Sequence, residues 1–170
     1  FARAAVDGKR RWVYQRTLPE LSLRSPTGLV VAGKVVLAGF PGGKLVAIAL
    51  NNGAATWEAT VALPKGATEL ERVADVSSAP AIGSRDVCAA AFQGRAACFD
   101  LANGNNFWGR DLSSSAGLDF DERYVYVADD AGAVQALDRT TGASIWKQGK
   151  LSHRGLSRPV AVGGRVVVGD

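Results

Sequence analysis

Between Leu29 and Thr60 the chain alternates short apolar runs with tight-turn residues: "LVVA", Gly33-Lys34, "VVLAG", Pro41-Gly42-Gly43, "KLVAIAL", Asn51-Asn52-Gly53 and "ATWEAT". Runs this short, bounded by Gly, Asn and Pro, predict strands joined by hairpin turns. The same order returns as "PAIG", "DVCAAAF", Gln93-Gly94, "RAACFD" and "NFWGRD", and again as "GLDF", "RYVYVAD", Asp130-Ala131-Gly132, "AVQALD" and "SIWKQ". Consecutive strands without an intervening helical pattern make four-stranded antiparallel meanders rather than βαβ units. The chain opens on the last two strands of such a unit, "FARAAVDGKRRW", and closes on the first two of another, "RPVAVGGRVVVGD".

A fixed local signature marks each unit. Gly8 stands four residues before Trp12, Gly53 before Trp57, Gly104 before Trp108 and Gly142 before Trp146, with the tryptophans at intervals of 45, 51 and 38 residues. A constant motif at variable spacing is the mark of a repeat array, and the period suits four-stranded propeller blades of ~40–50 residues. The expected class is all-β: a half-blade over 1–16, blades over about 25–62, 78–112 and 117–149, and a half-blade over 158–170. Closed propellers use ~4–8 blades, so the chain is expected to be part of a larger one.

The motif has a physical reading. Gly supplies a positive-φ position in the turn between third and fourth strands. The Trp ring is placed to pack against the neighbouring blade while its indole N–H finds a backbone acceptor. Trp57, Trp108 and Trp146 are therefore expected to be buried docking residues rather than chemical ones. Asp100 and Asp138 suit Asx-type caps of the same turns, whereas Ala4 and Ala49 occupy that position in the other copies.

Composition narrows the function. The 170 residues are 47% apolar, enough for a core. No apolar run approaches the ~18 residues of a membrane-spanning helix, and no charged-then-apolar leader opens the chain, so a soluble piece is expected. A balance of 20 basic to 16 acidic residues gives only +4, not the concentrated field of a nucleic-acid binder. The local cluster Lys9, Arg10, Arg11 with Arg16 reads as a solvated hairpin end. His153 is the single histidine, with no nucleophile elbow beside it, and Asp129-Asp130 lacks the alternating oxygen ligands of a calcium loop. No catalytic residue, metal or cofactor is expected. Cys88 and Cys98 flank Gln93-Gly94 almost symmetrically, so a three-residue turn sets them opposite one another, close enough for a disulfide in an oxidising compartment; two small buried thiols are the alternative.

"ALDRTTGASIW" resembles, at every fixed position, the Ala-x-Asp-x-x-Thr-Gly-x-x-x-Trp docking motif of the quinoprotein-type β-propellers, the PQQ-like repeat family. "LPELSLRSP", "TELERVADVSSAP", "FQGRAACFDLANG", "LDFDERYVYVADDAG" and "LSHRGLSRPV", in that order, resemble the BamB family, propeller lipoproteins of the outer-membrane β-barrel assembly machinery, over nearly the whole chain. That resemblance implies eight blades and a non-enzymatic scaffold at the periplasmic face of the outer membrane. The membrane contact is an N-terminal lipid anchor, expected to be absent from this chain. The implied partners are the POTRA domains of the central barrel subunit and also unfolded outer-membrane proteins. The family's partner-binding positions map onto Leu21, Leu23, Arg24 and Asp75, with Ser77 where the family has a second acid. The enzymatic rival, a periplasmic quinone-dependent dehydrogenase or other ligand-binding propeller, shares the repeat but uses an adjacent Cys pair; here the two Cys are ten residues apart.

Strand alternation supplies an independent argument. Every connection from a fourth strand to the next blade's first strand leaves on one face of the disc, and the Trp-docking turns lie on the other. "LPELSLRSP", the long linker from Leu63 to Ala79, and "LSHRGLSRP" are all such connections, so the stretch bearing Leu21, Leu23 and Arg24 should neighbour the stretch bearing Asp75. Two readings of these residues remain open: an interface anchor, or a loop brace in which Arg24 pairs with Asp75 or Glu71.

Overall fold

The computed structural model describes residues 1–23 and 28–170. Three four-stranded antiparallel meanders follow one another: β3 (Leu29–Ala32) to β6 (Ala55–Thr60) through β4 (Val35–Phe40) and β5 (Lys44–Ala49); β7 (Ala81–Ile82) to β10 (Asn106–Asp111) through β8 (Asp86–Ala90) and β9 (Arg95–Asp100); and β11 (Gly117–Phe120) to β14 (Ser144–Gln148) through β12 (Tyr124–Ala128) and β13 (Val134–Asp138). A two-stranded sheet stands at either end, β1 (Ala2–Arg3) with β2 (Arg10–Trp12), and β15 (Val160–Val162) with β16 (Arg165–Val167). This is the all-β, propeller-type arrangement that the apolar runs predict.

The sheets stack face to face, which explains why the central strands are apolar throughout instead of alternating with polar residues. A strand buried on both faces has no solvent side. Leu37, Leu45 and Ala47 project to one side and meet Val87, Ala89 and Phe99 of the second blade. Val36, Val46 and Ile48, the intervening residues, project to the other side and meet Trp12 and Tyr14. Beyond the second blade, Cys88, Ala90, Ala96 and Cys98 pack with Leu118, Val125, Val127 and Leu137 of the third. The abundance of Ala in β8 and β9 lets neighbouring sheets approach closely. Cys88 and Cys98 are directly opposed across β8 and β9, with Cα atoms 4.1 Å apart and the sulfurs joined in a disulfide.

The tryptophans dock in a regular chain from each unit to the next. The Trp12 indole N–H donates to the Leu50 carbonyl at 2.8 Å, Trp57 to Leu101 at 3.1 Å and Trp108 to Arg139 at 2.7 Å. The acceptor always lies three residues before the glycine of the receiving turn. Gly53, Gly104 and Gly142 have φ of 77°, 75° and 73°. A Cβ on any of them would lie 2.5–2.6 Å from Cε3 of the arriving ring. Gly is thus required twice, for its backbone conformation and as the floor under the neighbour's indole. A bulge aims each ring: the register slips across Arg11, Thr56, Phe107 and Ile145, always the residue before the Trp.

One expectation is corrected. Trp108 is buried at 6% exposure and Trp57 half-buried, but Trp146 is 40% exposed. Its turn and bulge match the others; what it lacks is a receiving turn, because β15 and β16 correspond to the first two strands of a unit and the Gly-bearing turn lies between the third and fourth.

Candidate functional site

The connections from fourth to first strands and the turns between second and third strands share one face, on which they are laced together by backbone and side-chain bonds. Asp75 lies in the connection between β6 and β7 and is 3% exposed. Its Oδ2 accepts the Leu23 N–H at 2.5 Å and its Oδ1 accepts the Gly42 N–H at 3.1 Å, while its own carbonyl accepts the Phe92 N–H at 2.9 Å. One residue therefore fastens the β2–β3 connection, the β4–β5 turn and the β8–β9 turn. The strand directions bring the Leu21–Leu23 stretch and Asp75 together as the alternation argument requires.

The same geometry changes the part that Asp75 can play. A carboxylate turned inward onto two amides does not reach a partner, so its expected direct contact is replaced by positioning: it sets the path of the loop that carries Leu21. Glu71 is likewise turned to the backbone, accepting the Ala67 and Thr68 N–H groups at 2.8 and 3.1 Å. The Thr68 bond, followed by that of Ala67, holds its carboxyl below the usual range. Arg24 lies outside the described residues. Ser77, at the position of the second acid, donates from Oγ to the Ser115 carbonyl at 3.1 Å and so ties this connection to the next.

Large apolar side chains face solvent here among charged ones. Leu21 is 47% exposed and Leu70 72%, and Leu18 and Leu63 are also exposed in the same two connections. Leu21 borders a cleft of about 300 Å³ lined also by Pro19, Glu20, Gly42, Pro64, Glu69 and Arg72, with Asp75 as its floor. Arg72 Nη1 lies 3.6 Å from Glu69 Oε1 at the rim. The segment bearing Leu70 is anchored from behind. With its amide oriented to satisfy its neighbours, Gln93 donates to the Leu70 and Val73 carbonyls at 3.2 and 3.1 Å, and Gln93 itself adopts φ of 48° to do so. Leu63, Leu70 and Arg72 were not singled out from the sequence; an apolar residue in a long polar linker, Leu70 in "ATELERV", is the signal that could have found them.

The opposite face carries a charged clamp. Arg139 makes a forked pair with Asp86, Nε to Oδ2 at 2.8 Å and Nη2 to Oδ1 at 2.6 Å, and donates from Nη1 to the Asp121 carbonyl at 2.6 Å. Its guanidinium lies 3.9 Å from the centre of the Phe120 ring. The bond to Asp86 leads in raising the Arg139 pKa. As Arg139 also supplies the carbonyl that receives Trp108, this clamp joins the second and third blades at their docking turn.

The residues considered for chemistry are occupied structurally. Asp129 is buried and accepts the Ala133 N–H and Gln135 Nε2 at 2.8 and 2.7 Å, with Lys147 Nζ at 3.0 Å. Burial works to raise its pKa, but these bonds outweigh it and the net shift is downward. Asp130 accepts from the Ser115 N–H at 2.8 Å and from the hydroxyls of Ser113 and Ser115. The backbone N–H of His153 donates to the Ala131 carbonyl at 3.1 Å. Among the described residues there is no group of three His, Cys, Asp or Glu side chains that could hold a metal ion.

Comparison with known proteins is consistent along the chain. Residues 2–148 match the family described as outer membrane protein assembly factor BamB. The outer membrane protein assembly factor BamB of Nitrosomonas eutropha is 48% identical over 171 aligned residues, covering all of this chain and 42% of that protein. Its counterpart in Bordetella pertussis is 45% identical over 98% of this chain and 43% of its own length. The crystal structure of BamB from Moraxella catarrhalis superposes with a TM-score of 0.88 at 30% identity, over 96% of this chain and 50% of that one. The chain thus spans about half the length of the relatives it matches.

Proposed function

The chain belongs to the BamB family of outer membrane protein assembly factors, and from that premise we propose that it is a non-enzymatic docking module of the β-barrel assembly machinery. Its linker face takes the POTRA domains of the central barrel subunit, at the periplasmic side of the outer membrane, and the intact protein is held there by an N-terminal lipid. The observation that carries this reading is the exposed Leu21 at the edge of a cleft that has buried Asp75 in its lining, with Leu18, Leu63 and Leu70 also exposed in the two connections that form it. Apolar side chains held on a braced loop suit the centre of an interface, with charged residues such as Glu20, Glu69 and Arg72 at the rim.

Leu21, Leu23 and Arg24 are the proposed contact residues, and Asp75 positions the stretch that carries Leu21 and Leu23. The test is affinity for an isolated POTRA array, read beside thermal stability. Arg24→Ala, and separately the Leu21→Ala/Leu23→Ala double variant, should each weaken binding by about 2 kcal/mol or more, as interface anchors do. Stability should change little for Arg24→Ala. Unchanged affinity for both variants would show that the partner sits elsewhere.

A further inference from the structure

The face opposite the linkers repeats a feature that indole docking does not require. In each whole blade a two-residue turn joins the first and second strands, at Gly33-Lys34, Ser84-Arg85 and Glu122-Arg123, and its second residue is basic every time. That residue is stitched to the indole-receiving turn: the Lys34, Arg85 and Arg123 carbonyls accept the N–H groups of Leu50, Leu101 and Arg139 at 2.8, 2.9 and 2.9 Å. Leu50, Leu101 and Arg139 are the residues whose own carbonyls receive the indoles. The stitch uses backbone alone, so the fold gives no reason for a cation at the position. All three basic side chains are exposed.

The acids of the same turns do not neutralise them, because they are turned inward. Asp100 accepts the Ala102 N–H and Asp138 the Thr141 N–H, each at 2.8 Å. Asp121 accepts the Arg123 and Tyr124 N–H groups, both at 2.8 Å, and Asp86 is held by Arg139. Glu122 is the acid left exposed in these turns. Beside the cations lie two hollows with apolar walls. One of about 600 Å³ is bordered by Lys34, Leu50 and Thr56, and one of about 520 Å³, between the second and third blades, by Arg85, Asn106, Phe107 and Thr140. Leu50 is 44% and Phe107 52% exposed.

We propose that this face binds an extended, acidic segment of a polypeptide, with its carboxylates on Lys34, Arg85 and Arg123 and its apolar side chains in the hollows at Leu50 and Phe107. The blades set the spacing of the ligand. Stacked sheets lie ~10 Å apart and an extended chain advances ~3.3 Å per residue, so carboxylates about three residues apart meet successive blades. Single cations one blade apart do not converge on one phosphate as a forked or clustered site does. The turn tips that would meet a lipid surface are Gly, Ser, Glu and the basic residues themselves, whereas the apolar groups line hollows beside them; a polypeptide supplies both spaced carboxylates and side chains to fill hollows. The proposal concerns the face away from Leu21 and does not rest on the POTRA reading.

Fluorescence anisotropy on the intact protein, with a labelled peptide of repeated Glu-Ser-Leu triplets, should show saturable binding that weakens as salt rises. Lys34→Ala/Arg85→Ala/Arg123→Ala should raise the dissociation constant by about 10-fold or more, whereas Lys65→Ala/Arg110→Ala/Lys150→Ala, which removes the same charge from elsewhere on the surface, should change it by less than about 2-fold. Phe107→Ala should weaken binding of the triplet peptide but not of its Glu-Ser-Ser counterpart. A peptide of the same composition with its Glu residues in one block should bind more weakly than the triplets. The first triple variant should keep full affinity for the POTRA array, so that failure here and failure of the linker-face reading are seen separately. Absence of saturable binding of the triplet peptide, equal effects of the two triple variants, equal affinity for the block peptide, or tighter binding of phosphatidylglycerol vesicles through the same three residues would overturn the proposal.

Discussion

Replacing Asp75 by Ala removes a carboxylate that is 3% exposed and leaves two amides, of Leu23 and Gly42, without their acceptor. A hydrogen bond to a charged group is worth about 1.5–3 kcal/mol. The two do not add in full, because the half-exposed Leu23 stretch can turn its N–H to water, whereas Gly42 sits in a hairpin whose path is fixed by β4 and β5. We therefore expect a loss of ~2–4 kcal/mol in urea unfolding. Asp75→Asn keeps one acceptor but turns an amide N–H toward the other donor, so it should recover no more than about half of that loss. Amide exchange at Leu23 and Gly42 should accelerate in both variants, and affinity for the POTRA array should fall although Asp75 makes no outward contact. A loss below ~0.5 kcal/mol with exchange at both amides unchanged would refute the bracing role, since that is the ordinary scatter of surface substitutions.

The tryptophan chain predicts unequal penalties from equal substitutions in the 170-residue chain: Trp108→Ala should cost ~3–5 kcal/mol, as buried aromatics do, and Trp146→Ala well under half of that. Equal losses in urea unfolding would contradict the docking geometry. The Cys88–Cys98 link closes a short loop, so Cys88→Ala/Cys98→Ala should lower stability by about 2–3 kcal/mol, and a reducing agent should lower the melting temperature of the parent protein but not of that variant. Tyr126 donates its hydroxyl to Asp121 Oδ2 at 2.7 Å, and burial first, then that bond, pushes its pKa up to about 12. An ultraviolet titration should find one of the three tyrosines ionising only near the end of the range. Because the folded pKa is raised, the bond's contribution is complete below the unfolded value of about 10 and is lost as pH climbs through 12, so Tyr126→Phe should be less stable than the parent at neutral pH and should close that gap above pH 12.

The blades were legible because their signals are local. A hairpin turn is specified by its own Gly and Asn, and a strand buried on both faces by its own apolar run; β3, β6, β9, β10, β11 and β14 have the bounds of the runs read from the sequence. Antiparallel alternation fixes which connections share a face, so the neighbourhood of Leu23 and Asp75 could be derived without coordinates. Burial could not. Trp108 and Trp146 follow the same glycine at the same distance, yet one is enclosed and the other half open, because burial belongs to the surface that arrives and not to the residue that waits for it. The direction of the Asp75 carboxylate was undecided for the same reason: a linker acid looks alike in sequence whether it faces a partner or two amides brought from residues 52 and 33 positions away. The second duty of Gly53, Gly104 and Gly142, as floors for rings 34 to 47 residues earlier in the chain, likewise exists only once the sheets are stacked. Local chemistry decided what each element is, and the packing of one sheet on the next decided which of its side chains remain available for function.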